Sequence, residues 1–107
     1  MFLGKRIKLL REEKGLVQRQ LAAVLEIDTP MYSKIERGER KAKREQVLKL
    51  SEMLNTDKDE LLILWLADQL FDLVKNEELG LKALKITELE LLKVVEFAFC
   101  DTSKPIG

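Results

Sequence analysis

The chain has no histidine and a single cysteine, Cys100, among its 107 residues. Without imidazole, histidine general-base chemistry and histidine-ligated zinc are excluded. One thiol excludes an internal disulfide and a thiolate metal cluster, and Cys100 reads as a small apolar residue. Only two prolines and five glycines interrupt the chain, so few positions oppose a helix. The longest apolar run, Leu61 to Ala67, has seven residues, against the ~20 that a membrane span needs. In the opening "MFLGKRIKLL", Lys5, Arg6 and Lys8 stand where a secretory signal requires an apolar stretch. There is no glycine-rich phosphate loop. These absences predict a soluble, cytosolic, non-enzymatic chain with no cofactor, no metal and no membrane partner.

The residues that are present point to helices. Hydrophobic residues make up 46% and charged residues 36%, enough for one domain with one modest core. The formal net charge is zero, but residues 1–55 carry 13 Lys and Arg against 8 Asp and Glu. Residues 56–107 carry 6 against 11. A basic half joined to an acidic half suggests two jobs, although charged faces that merely solvate a surface give the same totals.

Hydrophobic spacing divides the chain into short helices. Leu3, Ile7 and Leu10 recur at helical intervals and predict a helix from about Leu3 to Lys14, closed by Gly15. Leu21, Ala22 and Leu25 predict a second, from Gln18 to Leu25. Helices under ~12 residues are marginal alone, so this one must pack on a neighbour. A third starts at Asp28 or Thr29, either of which can cap it. Pro30 suits its first turn, Tyr32 and Ile35 face inward, and Gly38 ends it. Val47, Leu50 and Leu54 define a fourth, from Lys43 to Leu54. "NTDKDE" opens a fifth, from about Lys58 to Asn76, with Asp57 and Glu60 placed as a capping box. Residues 77–85 stay ambiguous because Gly80 weakens a helix there. Thr87 and Glu90 have capping-box spacing and predict the start of a last helix reaching Phe99.

The second and third helices, joined by three or four residues, have the spacing of a helix-turn-helix. Over "LREEKGLVQRQLAAVLEIDTPMYSKIERGER" and then "VLKLSEML", the chain resembles the Cro and phage-repressor (XRE-like) helix-turn-helix family. The resemblance covers about Leu3 to Leu62. It implies an all-α, repressor-type bundle of about five helices with a C-terminal helical extension for dimerisation. The DNA-binding domain is then residues 1–62 and the extension residues 63–107.

Residue by residue, the resemblance implies the following roles. Gln18 anchors a DNA phosphate. Arg11 and Glu36 bridge the first helix and the end of the third. Thr29, Pro30, Met31, Ser33 and Lys34 meet bases or phosphates. Arg37 and the basic loop with Arg40, Lys41, Lys43 and Arg44 bind the backbone. Two positions depart from the family. Glu26 stands where the turn usually holds glycine, so the turn either carries strain or avoids the left-handed conformation. Thr29 and Pro30 replace long polar side chains; proline cannot donate, so readout falls to Thr29, a methyl contact from Met31, or DNA shape.

Physical chemistry supports the same face. A helix fits the major groove, its N-terminus offers partial positive charge and free N–H groups, and adjacent cations neutralise phosphates. Tyr32 and Trp65 read as packing residues rather than stacking platforms.

The acidic half is more apolar than an ordinary surface helix requires. Ile63, Leu66, Leu70 and Leu73 form one stripe and Leu64, Ala67, Phe71 and Val74 another, which implies two neighbours. One is the helix-turn-helix core. For the other, Leu92, Val95 and Phe99 of the last helix join the first stripe in an expected dimer interface. The expected function is that of a sequence-specific regulator binding double-stranded DNA as a two-fold homodimer. Stand-alone regulators of this kind are similar to controller proteins of restriction-modification systems and to antitoxins that repress their own operons. The competing reading is a protein-interaction module whose apolar, acidic half binds a toxin or other protein, with DNA contact secondary.

Overall fold

The computed structural model describes the backbone of residues 1–103 and the side-chain surroundings of residues 1–96. Among the described residues there are six helices and no strand. They are α1 (Phe2–Glu13), α2 (Gln18–Leu25), α3 (Thr29–Arg37), α4 (Arg44–Met53), α5 (Lys58–Val74) and α6 (Gly80–Ser103). The chain divides into two compact units: Met1–Phe71, with α1 to α4 and most of α5, and a second beginning at Asp72.

In the first unit the apolar periodicity becomes a single core. Leu3, Ile7 and Leu10 of α1 meet Leu21, Ala22 and Leu25 of α2, Tyr32 and Ile35 of α3, and Val47 and Leu50 of α4. Ala42, Leu54 and Leu61 complete it. α2 packs on both α3 and α4, and α1 packs on α3. This contact stabilises the eight-residue α2, which local propensity alone would not hold.

Four of the five helices in this unit end in the same way. The first residue past α2 and α3, and the second past α1 and α4, turns left-handed, and the next N–H reaches back to the last turn. The left-handed residues are Gly15, Glu26, Gly38 and Asn55. The backward bonds are Leu16 to Arg11 (3.0 Å), Ile27 to Ala22 (3.1 Å), Glu39 to Lys34 (2.8 Å) and Thr56 to Ser51 (2.9 Å). Glycine and asparagine adopt this conformation readily; glutamate does not. Glu26, at φ 59° and ψ 41°, therefore takes the strained option of the two open to the turn. It does so because Ile27 must turn in against the core.

The helix starts are closed by different side chains. Asp28 Oδ1 accepts from the Met31 N–H at 2.8 Å, with Pro30 in the first turn of α3. The residues before α2 and α4 have no capping oxygen, so Gln20 and Gln46 accept from the N–H groups of Val17 and Lys43, each at 2.8 Å. At α5 only half of the expected capping box forms. Asp57 accepts from the Asp59 N–H at 3.1 Å, while Glu60 turns to Arg6 at 2.6 Å. The opening of α1 is closed from a distance: Asp68 of α5 accepts from the N–H groups of Phe2 (2.7 Å) and Leu3 (3.1 Å). Phe2 and Phe71 then meet edge to face at 5.8 Å.

The second unit differs from the sequence expectation. α6 runs unbroken from Gly80, and no helix starts at Thr87. Gly80 is the first residue of the helix, so it does not carry the cost of an interior glycine. It is buried there, where a Cβ would stand 2.8 Å from the Val74 carbonyl oxygen. The Thr87 hydroxyl donates to the Ala83 carbonyl one turn earlier, at 3.0 Å, as threonine does inside a helix. Phe99 and Cys100 lie outside the residues whose side chains are described. No helix among the described residues is long and apolar enough to cross a membrane.

Gly4 sets the approach of α1 to α3. A Cβ added there falls onto the backbone of Ile35 and Glu36, and backbone cannot be moved aside as a flexible side chain can. Gly4→Ala is expected to destabilise the protein by about 1–3 kcal/mol, the range for overpacked cores. A urea unfolding midpoint unchanged from the wild type would show that the two helices are not in close contact.

Candidate nucleic-acid interface

The interface is built around Glu36, which is buried at the end of α3. Its Oε2 accepts from Arg11 Nε at 2.7 Å and from the Tyr32 hydroxyl at 2.6 Å. Its Oε1 accepts from Arg11 Nη2 at 3.2 Å and from Gln18 Nε2 at 3.0 Å. Arg11 Nη1 also donates to the Leu16 carbonyl at 2.9 Å. One carboxylate thus joins α1, α2 and α3. The side chains of Arg11 and Glu36 are 11% and 3% exposed, so the pair lies away from solvent. Removing one partner of such a pair costs ~3–5 kcal/mol, largely from the charge left behind.

Protonation equilibria follow from this packing. Burial pushes the Glu36 carboxyl up, but the hydrogen bonds from Arg11, Tyr32 and Gln18 outweigh it and hold the group below its ordinary value. The Arg11 guanidinium is pushed up, chiefly by its bond to Glu36. Burial, and then the bond to Glu36, push the Tyr32 hydroxyl well above its ordinary value.

Around this hub the structure arranges the positions expected to meet DNA. Pro30, Lys34 and Arg37 are exposed on α3, and Thr29, Met31 and Ser33 are half-buried. Gln18 opens α2. One of its amide hydrogens goes to Glu36, and the second remains free to donate. Arg37 grips Glu39 through Nε at 2.8 Å and Nη2 at 3.2 Å, and also donates to Ser33.

The basic loop is less uniform than its sequence. Arg44 lies over the Trp65 ring at 5.8 Å, and Lys41 donates to Gln69 at 3.0 Å. Trp65 itself donates to the Ala42 carbonyl at 2.7 Å. Two of the four cations therefore also fasten the loop to α5. The side chains of Arg40 and Lys43 are exposed and have no hydrogen-bond partner among the described residues.

Gln18, Ser33 and Arg37 line a cleft of about 580 Å³ beside α3, together with Lys5 and Lys8 of α1 and Glu39. Thr29, Pro30, Lys34 and the basic loop do not line it. In the sequence Lys5 and Lys8 counted only against a secretory signal, and neither was expected to meet DNA. Asp68 and Gly4 were not expected to have a role either. A glycine inside a helix was a legible sign of close packing; nothing local marked Asp68 as the cap of a helix 65 residues away.

The chain has one tyrosine, so its ionisation is readable directly. Because the folded state raises the Tyr32 value, its contribution to stability is whole below the ordinary value of 10.0 and is lost as pH rises above it. Stability should therefore fall above pH 10, with tyrosinate absorbance appearing only as the chain unfolds, and Tyr32→Phe should flatten that decline. Tyrosinate forming in the folded protein near pH 10 would contradict the buried hydroxyl.

Residues 7–61 match the family model described as Helix-turn-helix. No curated protein and no solved structure matches the chain. The matched segment is just over half of the chain and holds the whole α2–turn–α3 unit, with the hub that fixes it. The chain belongs to the XRE-type (Cro/repressor-like) helix-turn-helix family and is a DNA-binding transcriptional regulator of that type.

Proposed function

We propose that the protein binds a specific operator as a two-fold dimer, with α3 in the major groove. The observation that carries this reading is the exposed side of α3. Thr29, Pro30, Ser33, Lys34 and Arg37 lie on a helix whose other side is locked into the core by Tyr32, Ile35 and Glu36. A helix held that rigidly presents its outer side chains in one fixed pose, as base readout requires. Thr29 and Lys34 are the readers in this reading, and Gln18, Arg40 and Lys43 hold phosphates. Lys41 and Arg44 divide their charge between phosphate and α5.

Salt titration on an operator selected from random DNA, and on a scrambled duplex, tests these roles. Arg40→Ala and Lys43→Ala should weaken both duplexes alike and lower the slope of log K against log salt by up to ~0.9 each. Thr29→Ala should instead erode preference for the operator, by ~1–3 kcal/mol for a lost base contact. The reverse pattern would exchange the two roles, and no change in any variant would move the DNA-binding face elsewhere.

Apolar exposure supports the pairing. Ile63, Leu66, Leu70 and Leu73 of α5 all stand exposed, Leu73 at 74% and Ile63 at 64%. Leu92 and Val95 of α6 are exposed as well. On each helix such exposed apolar residues mark an association surface, and a two-fold pair would place two recognition helices about 34 Å apart. In this reading residues 1–62 bind DNA and residues 63–107 pair the chains, a division that falls within α5, whereas the first compact unit runs to Phe71. A controller protein and an autoregulating antitoxin both fit this reading, the antitoxin with a second protein covering the apolar face.

Sedimentation at micromolar concentration should give about twice the 12.4 kDa of the chain, and Leu66→Glu with Leu73→Glu should return it to a monomer. A wild-type monomer that binds a palindrome tightly would leave the stripe for a different protein, the toxin or adaptor partner of the alternative reading.

A further inference from the structure

The cleft between α1, the start of α2 and α3 gathers charge that the interface described above does not use. Lys5 and Lys8 lie one turn apart on α1, both exposed, with no hydrogen-bond or ion-pair partner among the described residues. Like charges at this spacing repel slightly, so the pair contributes nothing to the helix that carries it. The first N–H groups of α2, at Gln18 and Arg19, have no carbonyl partner within the helix and bring partial positive charge. Glu36 adds no net negative charge, because Arg11 neutralises it.

The third cation of the cleft is Arg37, and it is occupied. Glu39 accepts from Nε and Nη2 of its guanidinium, the two-point grip by which arginine also holds phosphate. The pair is open to water, with side chains 51% and 55% exposed. An exposed pair of this kind is weak and readily exchanged.

We propose that Lys5 and Lys8 extend the DNA contact surface onto α1, seating one backbone phosphate in this cleft. Glu39 occupies the Arg37 fork in the free protein and yields it to that phosphate on binding. The inference rests on the reading that α3 lies in the major groove, since the cleft adjoins α3 through Ser33 and Arg37. Glu39 thereby weakens attachment to any duplex, whatever its sequence, and a complex that cannot displace it is left with fewer phosphate contacts.

Salt titrations of the full chain on operator and scrambled duplexes test this. The paired change Lys5→Ala and Lys8→Ala should lower the slope of log K against log salt by about 0.9, the loss of one phosphate contact. Lys82→Ala, an equal change of charge per residue outside the cleft, should leave the slope unaltered. Glu39→Gln should tighten both duplexes by up to about fivefold, the range open to an exposed pair, and this gain should vanish in an Arg37→Ala background. Thermal melts of each variant verify the fold. A wild-type chain with no salt-dependent duplex binding would overturn both readings. Wild-type binding with an unaltered slope in the double-lysine variant would overturn this one alone. A gain from Glu39→Gln that persists without Arg37 would show that Glu39 acts only through its charge.

Discussion

The structure depends on one buried carboxylate. Glu36 has four hydrogen bonds, from Arg11, Tyr32 and Gln18. Those donors come from α1, α3 and α2, so the carboxylate fixes the relative orientation of all three. Apolar packing drives these helices together but tolerates many orientations. A carboxylate that must find all its donors tolerates very few. Such a hub contributes less net stability than its bonds suggest, because burying the charge is costly. Its consequence is a fixed pose for α3.

A second constraint comes from α5. Leu61 is buried in the core, and Asp68 supplies the cap that α1 lacks. Between them Trp65 holds the Ala42 carbonyl and carries Arg44 on its ring. Gln69 takes Lys41, and Glu60 takes Arg6. The helix bearing the exposed stripe Ile63, Leu66, Leu70 and Leu73 is therefore fastened to both the start of α1 and the basic loop.

The cations are divided between architecture and attachment. Arg11 is fully committed to the fold. Lys41 and Arg44 serve the loop as well as the surface, and Arg37 is held by a displaceable neighbour. Arg40, Lys43, Lys5 and Lys8 have no side-chain partner among the described residues. Sequence shows a basic first half but not this partition, because the role of a cation depends on which acceptor its flexible side chain reaches in space.

The sequence alone determined the class of fold and the placement of its first five helices. Periodicity located the apolar faces, and Asp28, Gly15 and Gly38 punctuated the ends, because caps and left-handed turns are local chemistry. The family resemblance implied the Arg11–Glu36 bridge. Where sequence stopped, the deciding contact was distant. Whether Glu26 turned left-handed depended on Ile27 reaching the core. Whether Thr87 capped or sat inside a helix depended on where its own helix began, and that helix begins at Gly80, whose missing Cβ allows the close fit against Val74. The cap of α1 by Asp68 and the convergence of Lys5, Lys8 and Arg37 on one cleft have no local signature. Each is a meeting of residues far apart in the chain, and only the tertiary packing of helices brings them within bonding distance.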